Sequence, residues 1–188
     1  KELDDFIGPV AGIHGRQKSS WHSIAMSDVE FHYSESQDVI RVPAFALKSG
    51  QKVCVEGKSG QGKSTFLSLL TNSLEPQSGE RHVDNESYSS IGRKFFASHV
   101  AVIAQEAELF HLSVRDNLTL GREISDETLL EYIDELDLRD WFDSLDKGFD
   151  SLVGEKGVTL SAGQRQRVNI LRGILLDRSL YILDEPTT

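Results

Sequence analysis

The sequence predicts an α/β fold: a mostly parallel sheet, preceded by an antiparallel β part and interrupted by a helical subdomain. Three features lead to this prediction. An apolar run at residues 53–55 leads through a glycine-rich loop into an apolar helical run that starts at Thr65. A second apolar run, at residues 180–183, ends in two acidic residues, and two strand-like runs lie between residues 24 and 47. Short apolar runs are typical of strands buried in parallel sheets.

The first part of the chain predicts a linker and then a pair of strands. Residues 1–22 are polar, contain several glycines and begin without methionine, so we expect a linker that belongs to a larger protein. Residues 23–188 are expected to form one domain. Its two strand-like runs flank a polar turn at residues 34–38, and antiparallel pairing is their simplest arrangement.

The glycine-rich loop predicts a nucleotide site. Residues 57–64 read GKSGQGKS, which matches G-x-x-x-x-G-K-[ST] between an apolar run and a helical run. Glycines let backbone amides approach phosphate oxygens, and the helix start adds unpaired N–H groups. Lys63 is expected to reach the β- and γ-phosphates, and Ser64 to bind Mg²⁺. A plain glycine-rich turn is the alternative. The predicted phosphate-loop residues are Gly57, Ser59, Gly60, Gln61, Gly62, Lys63, Ser64 and Thr65.

Helical signals dominate from about residue 106 to residue 176, after an apolar strand predicted at residues 99–104. Ser125 is a plausible N-cap for a helix over residues 126–138. The apolar stripe of this helix predicts core packing, and its members are Leu129, Leu130, Ile133 and Leu136. These features predict a helical subdomain at about residues 106–176.

A second phosphate-binding helix start is predicted at residues 160–164, which read LSAGQ. Ser161 and Gln164 fit a capping box, and a capped helix start is an anion site. Capping alone is the alternative interpretation. Because one chain has a single nucleotide to offer two such sites, the sequence favours two copies that complete each other's site.

The acidic pair after residues 180–183 predicts the catalytic end of the sheet. Ligands of such sheets lie beyond the carboxyl ends of the strands. Adjacent residues on a strand point to opposite sides, so Asp184 is expected to hold Mg²⁺ through a water and Glu185 to deprotonate the attacking water. An acidic turn after a core strand is the alternative for such a pair in isolation.

Together these motifs resemble the nucleotide-binding domain of ATP-binding cassette (ABC) proteins, over about residues 24–188. LSAGQ is similar to the family's signature sequence, usually LSGGQ, with Ala162 in place of the first glycine. The resemblance implies ATP and Mg²⁺ as ligands, ATP hydrolysis as the activity, and a head-to-tail dimer. In that dimer Ser161 and Gly163 would contact the γ-phosphate held by the other copy. The signature residues are Ser161, Ala162, Gly163 and Gln164.

The resemblance assigns two further residues. Tyr33 resembles the aromatic on which adenine stacks, an interaction worth roughly 1–3 kcal/mol; half-buried packing is the alternative for an isolated tyrosine. Gln105 resembles the glutamine that senses Mg²⁺ and the attacking water. The predicted Mg²⁺ ligands are therefore Ser64, Gln105 and Asp184, and the predicted catalytic residues are Lys63, Gln105 and Glu185.

Two segments resemble exporter-type members of the family. Residues 109–118 read LFHLSVRDNL, and residues 153–157 read VGEKG. In exporters the second segment touches the membrane domain, a role that Glu155 would carry. Residues 185–188, EPTT, are closer to importers and soluble members. We favour an exporter, with a transmembrane domain as partner and a location at the cytoplasmic face of a membrane.

Composition limits the partners. Thirty acidic against twenty basic side chains give a formal charge of −10, which disfavours nucleic acid. Cys54 is the only cysteine, so a disulfide within the chain is excluded, as suits a reducing cytosol. The six histidines show no ligand spacing, and no apolar stretch approaches the roughly 20 residues that span a bilayer.

The family fold also implies a strand between the one at residues 53–55 and the one at residues 180–183, and this chain reaches Thr188 before it. We expect the C-terminal part of the fold to be absent from the chain, two strands to lack their shared neighbour, and the chain alone to be weakly active or inactive.

Two alternatives remain: a soluble ABC ATPase, and a nucleotide-binding module without turnover. The acidic balance and the exporter-like segments argue against the first, and the Asp184–Glu185 pair against the second. A small-molecule kinase with the same loop would have no use for LSAGQ. The sequence does not indicate the transported substrate.

Overall fold

The computed structural model describes residues 21–34, 38–58, 60–104, 109–154 and 159–184. The chain divides into two compact units, with the boundary between Lys94 and Phe95.

The first unit contains a four-stranded antiparallel sheet with the order β2-β1-β3-β4. The predicted pairing of the first two strands is confirmed, with Ser23 opposite Lys48 and Phe31 opposite Ile40. The last two strands were not predicted. The bounds are β1 Ser23–Phe31, β2 Ile40–Lys48, β3 Ser78–Val83 and β4 Glu86–Ser87.

A bulge in β1 shows why a glycine follows the start of β3. The register of β1 against β3 shifts between Ser27 and Glu30, and Asp28 lies in the left-handed region with φ 50°. Gly79 faces this bulge at φ 92°, and a Cβ added there would lie 2.4 Å from the Asp28 carbonyl oxygen. The close approach of the two backbones therefore requires glycine at this position.

The strand predicted at residues 53–55 is not formed. Residues 51–58 carry no regular secondary structure, and the side chains of Val53 and Val55 are 51% and 41% exposed. Among the described residues of this unit, no strand lies beside residues 53–55 to form a ladder with them. Because a strand is stabilised by its neighbours, an apolar run without one leaves its backbone groups to water.

A helix follows the phosphate loop directly. Helix α1 spans Lys63–Leu70 and buries Thr65, Leu69 and Leu70. Helix α2 spans Tyr88–Ile91 and follows β4.

Helix α3, Arg93–His99, contains the boundary between the units and leads into β5, Val100–Ile103. Strand β5 pairs in parallel with β6, Leu180–Leu183, so that Ile103 lies opposite Leu183. The parallel pairing is confirmed. Burial on both faces is incomplete, because Val102 is 56% exposed while Ala101 and Ile103 are buried.

The second unit has one apolar core made mostly by helices. Its helices are α4 Val114–Thr119, α5 Asp126–Glu135, α6 Arg139–Asp143 and α7 Ala162–Leu175. The predicted N-cap of α5 is confirmed, since the Ser125 side chain accepts a hydrogen bond from the Thr128 amide. The predicted stripe also packs in the core, although α5 ends at Glu135, three residues before the predicted end.

No helix in the described part of the chain combines the length and the apolar character that a membrane span requires.

Candidate nucleotide-binding site

The phosphate loop adopts a backbone that only glycine accommodates easily. Gly60 and Gly62 have φ angles of 81° and 87°. At Gly62 an added Cβ would also lie 2.4 Å from Ile40 Cδ1. Gly62 is the N-cap of α1 and provides no side chain to bond the first-turn amides. The loop therefore presents a helix start to a ligand, as an anion site requires.

Lys63 and Gln61 close the loop on itself. The Lys63 ammonium donates to the carbonyl oxygens of Gly57 at 2.8 Å and Lys58 at 3.1 Å. The Gln61 side-chain oxygen accepts a hydrogen bond from the Lys58 amide at 2.8 Å. Phosphate oxygens are stronger acceptors for an ammonium than carbonyls are, so this lysine can exchange one set of partners for the other. Ser59 lies outside the described residues.

Tyr33 lies beside the phosphate helix. Its hydroxyl is 3.2 Å from the Thr65 hydroxyl, and its ring packs edge-on against Phe31 with the centroids 4.9 Å apart. The side chain is 51% exposed. Tyr33 thus shows the packing expected of a half-buried tyrosine, and part of its ring also remains exposed to a base.

The carboxyl ends of β5 and β6 lie side by side, with Ile103 opposite Leu183. The Asp184 amide donates to the Ile103 carbonyl oxygen at 3.0 Å, and the Asn169 side chain donates to the Ala104 carbonyl oxygen at 2.9 Å. Gln105, Glu155 and Glu185 lie outside the described residues. Among the residues that are described, no group of three or more His, Cys, Asp or Glu side chains could hold a metal ion.

The predicted capping box at the start of α7 is confirmed. The Ser161 hydroxyl accepts from the Gln164 amide at 3.2 Å, and the Gln164 side chain accepts from the Ser161 amide at 2.9 Å. Ala162 and Gly163 are exposed in the first turn. An exposed methyl group at residue 162 meets no steric conflict, so alanine fits where the family usually has glycine.

The two exporter-like segments lie against each other. The Val114 amide donates to the Ser151 carbonyl oxygen at 2.9 Å, and the Val153 amide donates to the Leu112 carbonyl oxygen at 3.0 Å. Gly154, at φ 106°, would place an added Cβ 3.2 Å from His111 Cα. Three apolar side chains of this surface are exposed, namely Phe110, Leu112 and Leu152.

Sequence reasoning missed a buried arginine behind this surface. Arg172 of α7 is 8% exposed, and burial lowers the pKa of its guanidinium. Its Nε donates to the Asn117 carbonyl oxygen at 2.6 Å. Asn117 belongs to the exporter-like pattern, so the sequence could have indicated its role. The sequence contains no comparable indication that Arg172 is buried.

The comparisons with known proteins identify the family of the chain. A family model described as ABC transporter matches residues 40–188. The chain is 35% identical over 176 residues to the β-(1→2)glucan export ATP-binding/permease protein NdvA of Rhizobium etli, covering 93% of this chain and 30% of that protein. It is 37% identical over 166 residues to the glutathione/L-cysteine transport system ATP-binding/permease protein CydD of Bacillus subtilis, covering 88% and 29%.

A solved structure supports the same conclusion. A bacterial Atm1-family ABC exporter with ATP bound superimposes with a TM-score of 0.79 at 26% identity, covering 89% of this chain and 30% of that one. The chain thus spans about 30% of the length of these proteins. The predicted α/β fold and the resemblance to exporter-type nucleotide-binding domains are confirmed. With a phosphate loop, a capped signature helix and a family model over most of its length, the chain belongs to the ABC transporter family as an ATP-binding domain of exporter type.

Proposed function

We propose that this chain hydrolyses ATP to drive an exporter-type transporter. The observation that carries the proposal is the phosphate loop, in which two glycines at positive φ lead into α1 and Lys63 lies over the loop. ATP binds with its phosphates on residues 57–65 and its adenine against Tyr33. Lys63 then exchanges the carbonyls of Gly57 and Lys58 for phosphate oxygens.

The chemistry needs a metal and a base. In this proposal Ser64 would hold Mg²⁺ directly, Asp184 would hold it through a water, and Gln105 would sense the metal and the attacking water. Glu185 takes the proton of that water, a contribution that is typically 10²–10⁴-fold. The parallel pairing of β5 with β6 supports this assignment, because Gln105 and Glu185 each follow one of these strands within two residues.

A second copy completes the site. The capped start of α7 offers an anion site to the γ-phosphate held by the other chain, through Ser161, Ala162, Gly163 and Gln164. Two copies therefore close head to tail over two nucleotides, and hydrolysis lets them separate.

The partner that uses this cycle is a transmembrane domain. The relatives combine ATP-binding and permease parts, and the chain spans about 30% of their length. Residues 1–22 link to that domain, residues 23–188 form the nucleotide-binding domain, and residues 106–176 form its helical subdomain. The exposed Phe110, Leu112 and Leu152 support contact with the membrane part, next to Glu155. The domain lies at the cytoplasmic face of the membrane and binds no nucleic acid.

Two substitutions in the full-length gene product test the site. Lys63→Met should abolish ATP binding because it removes the cation that faces the phosphates. Glu185→Gln should keep ATP affinity, lower turnover at least 100-fold and accumulate the closed dimer. Nucleotide titration, phosphate release and size-exclusion chromatography measure these effects. Lys52→Met, an exposed lysine outside this loop, is the matched control.

Each outcome has a definite meaning. ATP affinity that survives Lys63→Met would contradict the phosphate-loop assignment, and parental turnover in Glu185→Gln would contradict the base. Tight Mg·ATP binding without phosphate release by the parent would identify the alternative, a module that binds without turnover.

A further inference from the structure

Arg172 joins two segments that are far apart in the sequence. It lies in the last turns of α7, nearly buried, where a charged side chain is costly unless it is paired. Its Nε donates to the backbone carbonyl of Asn117, and its terminal nitrogen donates to the side-chain oxygen of the same residue. The guanidinium also lies over the Phe110 ring, 5.4 Å from the centroid.

Asn117 in turn holds the chain around Phe110. Its side-chain oxygen accepts from the Phe110 amide at 3.0 Å. Its side-chain nitrogen donates to the carbonyl oxygens of Phe110 at 2.9 Å and Ser113 at 3.0 Å. The fully buried Asn117 therefore fixes residues 110–113, and Arg172 fixes Asn117.

Further contacts join the same two segments. The Arg122 side chain, just after α4, donates to the Leu175 carbonyl oxygen at the end of α7. The apolar faces of α4 and α7 meet in one core through Val114, Leu118, Val168 and Leu171.

We infer that Arg172 is a positioning residue for turnover: through Asn117 it makes residues 109–118 and the signature helix α7 move as one body. The inference rests on the proposed function, in which a membrane partner contacts the exposed Phe110 and Leu112. Ser161 lies eleven residues before Arg172, about 16 Å along the helix. A force on the apolar surface reaches the signature only while this connection is rigid.

The test compares arginines of one helix in the full-length gene product, reconstituted in lipid nanodiscs. Arg172→Met removes the guanidinium, and Arg172→Lys keeps the charge but loses the fork that binds both oxygens of Asn117. Arg167→Met is the matched control, because Arg167 of α7 binds the Asp137 backbone oxygen at 2.7 Å from an exposed position.

We expect a split between binding and turnover. The Kd for ATP should stay within about twofold of the parent in both variants, because the phosphate loop is untouched, while kcat per folded molecule falls roughly tenfold or more in Arg172→Met. The kcat of Arg172→Lys should lie between those of the parent and of Arg172→Met. Hydrogen exchange should rise at the Phe110 amide and not in α1. The Arg167 control should keep the parental kcat.

Other results overturn the inference. Parental kcat in a folded Arg172→Met protein, or a loss of kcat matched by an equal loss of ATP affinity, would show that Arg172 positions nothing. If neither Arg172 variant folds, the role of Arg172 is structural only and the inference is wrong. A parent protein that fails to hydrolyse ATP, or that binds ATP despite Lys63→Met, would instead refute the proposed function.

Discussion

At the scale of single residues, the buried Arg81 of the first unit binds backbone carbonyls near the end of α1. The Arg81 guanidinium donates to the carbonyl oxygens of Leu69 at 2.8 Å and Leu74 at 3.0 Å, and it pairs with Glu75 at 3.0 Å. It also lies 4.7 Å from the centre of the Tyr88 ring. The guanidinium supplements the 3.4 Å hydrogen bond from the Asn72 amide to the Leu69 carbonyl oxygen near the end of α1.

Removing this cation should destabilise the first unit. Arg81→Met removes a buried hydrogen bond to the Leu69 carbonyl oxygen and a half-buried one to that of Leu74, and we expect a loss of about 2–4 kcal/mol in the free energy of unfolding. Denaturant unfolding followed by tryptophan fluorescence measures it. The control is Arg41→Met, which removes an exposed ion pair with Glu30 and should change stability by less than about 1 kcal/mol. Equal effects of the two substitutions would contradict this account of Arg81.

At the scale of helices, the second unit uses the same serine cap at the starts of α5 and α7. Ser125 and Ser161 both accept a hydrogen bond from the amide three residues later, at the starts of α5 and α7. Their local geometry is alike, and only Ser161 belongs to the sequence that resembles the ABC signature. Stability and function at a helix start can therefore be separated by comparing the two.

Alanine at each cap tests this separation. Ser125→Ala and Ser161→Ala should each cost about 1 kcal/mol of stability, because each removes one cap hydrogen bond. Only Ser161→Ala should lower the kcat for ATP, by roughly tenfold or more, as expected for a lost phosphate contact. Thermal unfolding and phosphate release provide the two measurements. A parental kcat in Ser161→Ala would show that Ser161 only caps α7 and makes no phosphate contact that turnover needs.

At the scale of the whole molecule, the two helix starts that we propose to bind phosphate occur in one chain, one in each compact unit. The proposed dimer pairs the loop of one copy with the signature of the other. A site shared between two chains and a site within one chain predict different ATPase activities for dimers that contain two different variants.

Co-expression of Lys63→Met with Ser161→Asp should restore activity that neither variant has alone. Aspartate keeps the cap of α7 but places a negative charge against the γ-phosphate. A mixed dimer contains one intact site, made by the loop of one chain and the signature of the other. Random pairing then yields about a quarter of the parental ATPase activity. Mixtures as inactive as the single variants would place both parts of the site in the same chain.

Several parts of the fold and the site could be predicted because a few contiguous residues determine them. The phosphate loop needs glycines at positive φ, and the cap of α7 needs a serine and a glutamine three residues apart. The apolar run of β6 and the cap of α5 follow equally local rules. The predictions for Gln105, Glu155 and Glu185 lie outside the described residues and stay predictions.

The sequence by itself thus determined the nucleotide site and its family, whereas the tertiary structure decided pairing and burial. Residues 53–55 look like a strand but form none among the described residues, because a strand needs a neighbour that local sequence does not supply. Strand β3 contains the charged Glu80 and Arg81, and only its position in the sheet buries Arg81. The burial of Arg172 likewise depends on Asn117, which lies 55 residues away in the chain and is adjacent only after folding.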